Sequence, residues 1–242
     1  MNSRGCAGLL PVTTTFVLVP GAGGDTFYWH RLAAELESRG HSALPVELPA
    51  GDDSAGLDAY ADTVVAAMGD RSPVAVVAQS MGGLTAPLVC ARVPVDLLVL
   101  VNAMVPLAGE TGGEWWTATG QGKAAAAYRQ QLGLPAELDD TATYFHDVPA
   151  DVTAAYLAQE FAQSGRPFED PWPLERWPDV PTRVVAGRDD RLFPLDFQRR
   201  IAAERLGLPV DEVPGGHCVA LARPVELADR LEAYLVGGSG SR

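Results

Sequence analysis

Short, wholly apolar runs alternate along this chain with stretches of helical period, and that alternation restricts the available folds more than any other feature. Phe16–Val19 is a continuous apolar run ending at Pro20 and a glycine cluster, the pattern of a strand buried on both faces. Trp29, Leu32, Ala33 and Leu36 then share one face of a helix that Gly40 stops. Ala43–Leu48 reads as a strand, Leu57–Met68 as a helix, Val74–Ala78 as a strand and Met81–Arg92 as a helix containing Pro87. Leu97–Val101 is a further strand. The pattern returns with strand Thr182–Ala186, helix Leu195–Leu206, strand Val210–Val213 and helix Val219–Leu235. Repeated strand–helix units imply an α/β fold, because parallel strands need crossover connections. The expected sheet has about six mostly parallel strands with helices on both faces.

Between Pro106 and Pro178 no strand pattern is visible, yet most of the aromatic residues lie there: Trp115, Trp116, Tyr128, Tyr144, Phe145, Tyr156, Phe161, Phe168, Trp172 and Trp177. A segment of that length is too long for a structureless loop, so it reads as a helical cap inserted after the fourth strand. More than half of its aromatic residues are expected simply to pack the cap. Residues 1–242 are read as a single domain, with 47% hydrophobic residues to fill its core and no internal repeat.

Charge narrows the function. At a net charge of −13, with Lys123 the only lysine, the surface would repel phosphate backbones and anionic headgroups. Neither nucleic acid nor a membrane surface is therefore an expected partner. No apolar run reaches the roughly 20 residues of a membrane span. Cys6, Cys90 and Cys218 have neither disulfide-framework nor metal-ligand spacing, so no metal or cofactor is implied. The Cys6–Val12 stretch is brief and broken by Gly8 and Pro11. It reads as a lead-in rather than a signal peptide, which favours a cytoplasmic setting. Gly237–Arg242 reads as a flexible tail.

Four segments carry chemistry. Ala78-Gln79-Ser80-Met81-Gly82-Gly83 lies where a strand turns abruptly into a helix, and a nucleophile there needs small residues two positions to either side. Ser80 could merely cap that helix, but Ala78 and Gly82 meet the steric need and favour a nucleophile. The N–H of Met81 would then point at an oxyanion. Pro20-Gly21-Ala22-Gly23-Gly24 follows the first strand and matches no phosphate-binding fingerprint. Its place one crossover before Ser80 suits the second oxyanion donor, assigned to the N–H of Ala22. Asp189 and Asp190 compete for a carboxylate role after the strand that follows the cap, at the sheet edge where such folds build sites. His217, after the last strand, completes the chain order serine, aspartate, histidine.

With these segments in place the chain resembles the α/β-hydrolase superfamily, and within it the branch of plant methylesterases and hydroxynitrile lyases with their bacterial relatives. The resemblance runs from Phe16 to Leu235. It rests on Phe16–Gly24 with Tyr28-Trp29, the Ala78–Gly83 elbow, the run from Asp190 to Phe197-Gln198, and Gly215-Gly216-His217. Its aspartate-to-Phe-Gln spacing selects Asp190 over Asp189 and implies a Ser80, Asp190, His217 triad. Tyr144-Phe145-His146-Asp147 looks like a cap motif of the bacterial relatives, and Gly21, Tyr144 and His146 are expected to line the substrate pocket. Two departures matter. Esterases of the branch carry His-Gly where Pro20-Gly21 stands, and the lyases carry Thr at Gly21 and Lys at Cys218. Hydrolysis of a small apolar carboxylic ester or thioester is thereby favoured over cyanohydrin cleavage. Another reaction in the same site (carbon–carbon cleavage, a lyase or cyclase step) and a receptor-like binding role are the alternatives. The expected partner is a small-molecule substrate, met by a monomer or a homodimer.

Overall fold

A computed structural model describes residues 13–237. The Cys6–Val12 lead-in and most of the Gly237–Arg242 tail lie outside the described residues. Six strands, β1 (Thr15–Val19), β2 (Ser42–Pro45), β3 (Val74–Gln79), β4 (Leu97–Val101), β5 (Thr182–Gly187) and β6 (Val210–Val213), form one sheet in the order β2-β1-β3-β4-β5-β6. Every pairing is parallel. The second strand ends earlier than its apolar run. Pro45 has no N–H to extend the ladder, although Val46 still donates to Leu18 O at 3.1 Å.

The continuous apolar runs are explained by burial on both sides. Val17 and Val19 of β1 belong to the core on the side of the sheet covered by α2 (Leu57–Met68), α3 (Gly82–Arg92) and α9 (Leu195–Leu206). Phe16 and Leu18 face the opposite way, toward α1 (His30–Ser38), α10 (Val219–Ala222) and α11 (Pro224–Gly237). The last helix was expected to be unbroken from Val219 to Leu235. It divides at Arg223, because Pro224 cannot continue the preceding turn but suits the first position of a new helix. Pro87, by contrast, sits inside α3 without ending it.

Between β4 and β5 the chain forms α4 (Gly112–Thr119), α5 (Gln121–Gln131), α6 (Asp140–Tyr144), α7 (Ala150–Leu157) and α8 (Arg166–Glu169). A capping box starts α4, with Thr111 and Glu114 satisfying each other's backbone N–H groups. Two tryptophans root the segment in the core. Trp115 donates to Val105 O and Trp172 to Leu84 O, each at 3.0 Å. A buried ion pair adds a third attachment: Arg205 of α9 donates to Glu110 Oε1 at 2.9 Å and also to the Val105 carbonyl.

Removing one end of such a pair strands the other charge in a dry site. Glu110→Ala is expected to destabilise the protein by about 3–5 kcal/mol in urea denaturation, with most of that loss recovered when Glu110 and Arg205 are both replaced by Met. A single-variant loss under about 1 kcal/mol would mean that water already screens the pair.

Candidate active site

The loops after β1, β3, β4, β5 and β6 converge at the carboxyl edge of the sheet, where a parallel fold gathers residues distant in sequence. Ser80 directly follows β3 and has φ +52°, a left-handed conformation unusual for a residue with a side chain. Glycines allow this turn to sit tightly. A Cβ on Gly82 would lie 2.7 Å from Pro20 O, and one on Gly83 would lie 2.0 Å from Met104 O. The turn is closed by Met104 N donating to Ser80 O at 2.9 Å. Strain here is stored in the backbone and leaves the Ser80 hydroxyl facing a cavity.

Ser80 Oγ lies 3.1 Å from His217 Nε2, and His217 Nδ1 lies 2.8 Å from Asp190 Oδ2. Asp190 is completely buried, and its Oδ1 accepts the N–H groups of Leu192 at 2.8 Å and Phe193 at 2.9 Å. A carboxylate fixed in this way holds the imidazole with its proton on Nδ1 and leaves the Nε2 lone pair for the serine hydroxyl. Asp189, by contrast, pairs with Arg188 at the surface, and its carbonyl meets His146 Nε2 at 3.0 Å. Phe193 and Tyr144 pack edge-on against the His217 ring.

The glycine loop after β1 borders the same cavity. Gly24 N donates to Gly21 O at 3.2 Å, and Gly23 N is taken by Gln163 Oε1 at 2.9 Å. The N–H groups of Ala22 and Met81 donate to no protein acceptor among the described residues. Met81 also immediately precedes α3, so that helix's positive end adds to its pull on an anion.

The cavity holds about 380 Å³. Gly21 and Tyr144 line it, and His146 lies outside it. His146 instead clasps the β5–β6 loop region through Asp189 O, while the neighbouring Asp147 Oδ2 accepts Gly216 N at 3.0 Å. The Tyr144–Asp147 stretch is thus divided: Tyr144 and Phe145 line the cavity, His146 braces the loop that carries Asp190, and Asp147 braces the turn that carries His217. The aromatic residues also depart from expectation. Six of the ten (Trp116, Tyr144, Phe145, Tyr156, Phe161 and Phe168) border the cavity rather than only packing the inserted segment.

A match to the alpha/beta hydrolase family model spans residues 16–230. The chain belongs to that family. Among curated proteins, this hydrolase is 27% identical to esterase PIR7B of Oryza sativa subsp. japonica, over 89% of this chain and 93% of the other. Among solved structures it resembles an extracellular alpha/beta-hydrolase from a Paenibacillus species, with TM-score 0.74, 20% identity and 91% and 98% of the two chains covered. Polyneuridine aldehyde esterase gives 0.71 and 19%, with 92% and 99% covered. The family match, the esterase relatives and the bacterial hydrolase agree with the resemblance read from the motifs.

Two residues at the site escaped the sequence reading. Gln79 Nε2 lies 3.1 Å from His217 Nε2, beside the serine hydroxyl. Asn102, fully buried just past β4 at φ +45°, accepts Gly187 N at 2.7 Å and Gln198 Nε2 at 3.1 Å. Its Nδ2 donates at 3.0 Å to both Gly216 O and His217 O. An asparagine directly after an all-apolar strand was the available signal, since Asn tolerates left-handed backbone and buried amides must be satisfied.

Burial pushes the pKa of the Cys218 thiol well up, with Asp190, Asp147 and Asp25 adding to the shift, so next to His217 it is a neutral group. The phenols of Tyr28, Tyr144 and Tyr156 are likewise raised, chiefly by burial. They remain donors across the working pH range.

Asn102→Ala leaves several buried partners unmatched, and Asn102→Asp keeps the shape but turns a carboxylate oxygen toward two carbonyls. Both variants are expected to lose roughly 3 kcal/mol or more in chemical denaturation, at about 1–3 kcal/mol for each orphaned buried group. Full stability of the Asp variant would show that the two donated bonds are dispensable.

Proposed function

We propose that this alpha/beta hydrolase cleaves a small, largely apolar carboxylic ester or thioester through an acyl-enzyme on Ser80. The observation that carries this reading is the Ser80–His217–Asp190 chain opening onto an aromatic-walled cavity. His217 takes the hydroxyl proton as Ser80 Oγ attacks the carbonyl carbon. Asp190 steadies the resulting imidazolium. The N–H groups of Ala22 and Met81 hold the tetrahedral oxyanion, and α3 contributes its positive end. His217 then returns the proton to the departing alcohol, and a water activated by the same imidazole releases the acid.

Residues 106–178 act in this reading as a cap on a single catalytic domain, supported by the six aromatic residues they bring to the cavity. Cys90 and Cys218 are both free, which suits a reducing, cytoplasmic setting, and no helix among the described residues is long and apolar enough to cross a membrane. The substrate is the expected small-molecule partner. A lyase step is disfavoured on steric and electrostatic grounds. A Cβ at Gly21 would lie 2.6 Å from Gln79 Oε1 and 2.9 Å from Ser80 Cβ, which excludes a threonine without rearrangement. The neutral thiol of Cys218 supplies no cation for a leaving anion.

Ser80→Ala and His217→Ala are each expected to lower turnover of p-nitrophenyl esters by about 10⁴–10⁶-fold. A fluorophosphonate should label Ser80, as mapped by peptide mass spectrometry. Near-normal turnover by Ser80→Ala would remove the nucleophile from this account.

A further inference from the structure

We propose that Asp25, on the wall of the Ser80 cavity, recognises a hydrogen-bond donor (a hydroxyl or an ammonium) carried by the substrate away from its ester group. The proposal deepens the esterase reading and rests on it.

Asp25 is buried, at 7% exposure, yet it borders the cavity. It forms no ion pair among the described residues, and no lysine or arginine lies on the cavity wall. A carboxylate removed from water is costly unless its acceptor sites are filled. Only two fillings are present: Tyr28 N donates to Oδ1 at 2.9 Å, and Tyr156 Oη donates to Oδ2 at 3.0 Å. A carboxylate offers about four lone-pair sites, so about half its accepting capacity is unspent. Oδ2 lies 3.7 Å from where a Cβ of Gly23 would stand, which sets it against the glycine loop beside the nucleophile.

A second observation points the same way. The Tyr28 side chain also borders the cavity at 4% exposure, and its hydroxyl, near the Ala220 backbone, makes no well-formed hydrogen bond. This buried phenol and the half-satisfied carboxylate share a wall with Met104, Trp116, Phe145, Leu157, Phe161 and Phe168, and with the exposed Asp140. Apolar pockets fix ligand orientation with a few such polar groups. Local structure accounts for part of Asp25, since Oδ1 holds the turn into Tyr28, and the residue borders both the Ser80 cavity and a neighbouring recess with Thr26, Glu47 and Glu160. A largely apolar wall with a buried carboxylate at a fixed point suits an ester that is apolar along its length and carries one donor.

The test uses 4-nitrophenylacetate esters of ω-aminoalkanols, of α,ω-diols and of matching n-alkanols, four to six carbons long. Binding to Ser80→Ala is read from quenching of tryptophan fluorescence, Trp116 being on the cavity wall. At one chain length a donor-bearing ester should bind about ten-fold or more tightly than its alkyl analogue, and Asp25→Asn should erase that preference. An advantage confined to the ammonium identifies a cationic substrate, and one seen also with the hydroxyl identifies a neutral donor. No preference at any length, or a preference that survives Asp25→Asn, overturns the proposal. Should circular dichroism show that Asp25→Asn does not fold, Tyr156→Phe takes its place. Freeing Oδ2 from its phenol should then raise the donor preference, and an unchanged preference refutes the assignment. Failure of the esterase reading shows separately, as wild-type protein that hydrolyses none of these esters, while binding to Ser80→Ala still decides the role of Asp25.

Discussion

The Asn102 side chain ties together the loops that leave β4, β5 and β6, beyond the register the sheet itself imposes. Its amide sits past the end of β4 and accepts from the end of β5 through Gly187, while donating to the Gly216 and His217 carbonyls beyond β6. Gln198 of α9 meets the same oxygen and also donates to Phe193 O at 2.7 Å. The loops carrying Asp190 and His217 are therefore positioned against one buried group rather than against each other alone. Together with Asp189 N donating to Gly215 O at 2.9 Å, it sets the two loops for the 2.8 Å contact between Asp190 and His217.

Much of this was legible in the sequence, for a physical reason. Strands buried on both faces must be apolar throughout, so the runs at residues 16–19 and 97–101 announce themselves. The steric demands of a strained turn likewise leave small residues around Ser80. Where the reading failed, a side chain had been judged without its partners. His146 looked like a pocket residue because of its motif, but its partner is a backbone carbonyl 43 positions away. Asn102 and Gln79 carry no such signal, because their value lies in contacts across the sheet edge. The break in the final helix has a local cause instead, since Pro224 cannot extend the preceding turn and begins a new helix.

The segment between β4 and β5 shows how a cavity can be built from residues with no strand or helix periodicity to advertise them. Its short helices contribute ring faces, while Trp115 and Trp172 anchor it by donating to core carbonyls. Rings that anchor and rings that line the cavity cannot be separated by composition, since both are large and apolar. Only the direction of the backbone assigns them, and that direction is set by the anchors.

Gln163 gives this segment a mechanical bearing on the chemistry. Its Oε1 holds Gly23 N–H at 2.9 Å, and its Nε2 reaches the Tyr60 hydroxyl of α2 at 3.3 Å. Pro20, which has no N–H and no polar side chain, offers the glycine loop no such fastening of its own. The shape of that loop is thus borrowed from a residue 140 positions later in the chain. One side chain thus ties the loop beside Ala22 to α2, so the wall of the cavity and the glycine loop share a single fastening.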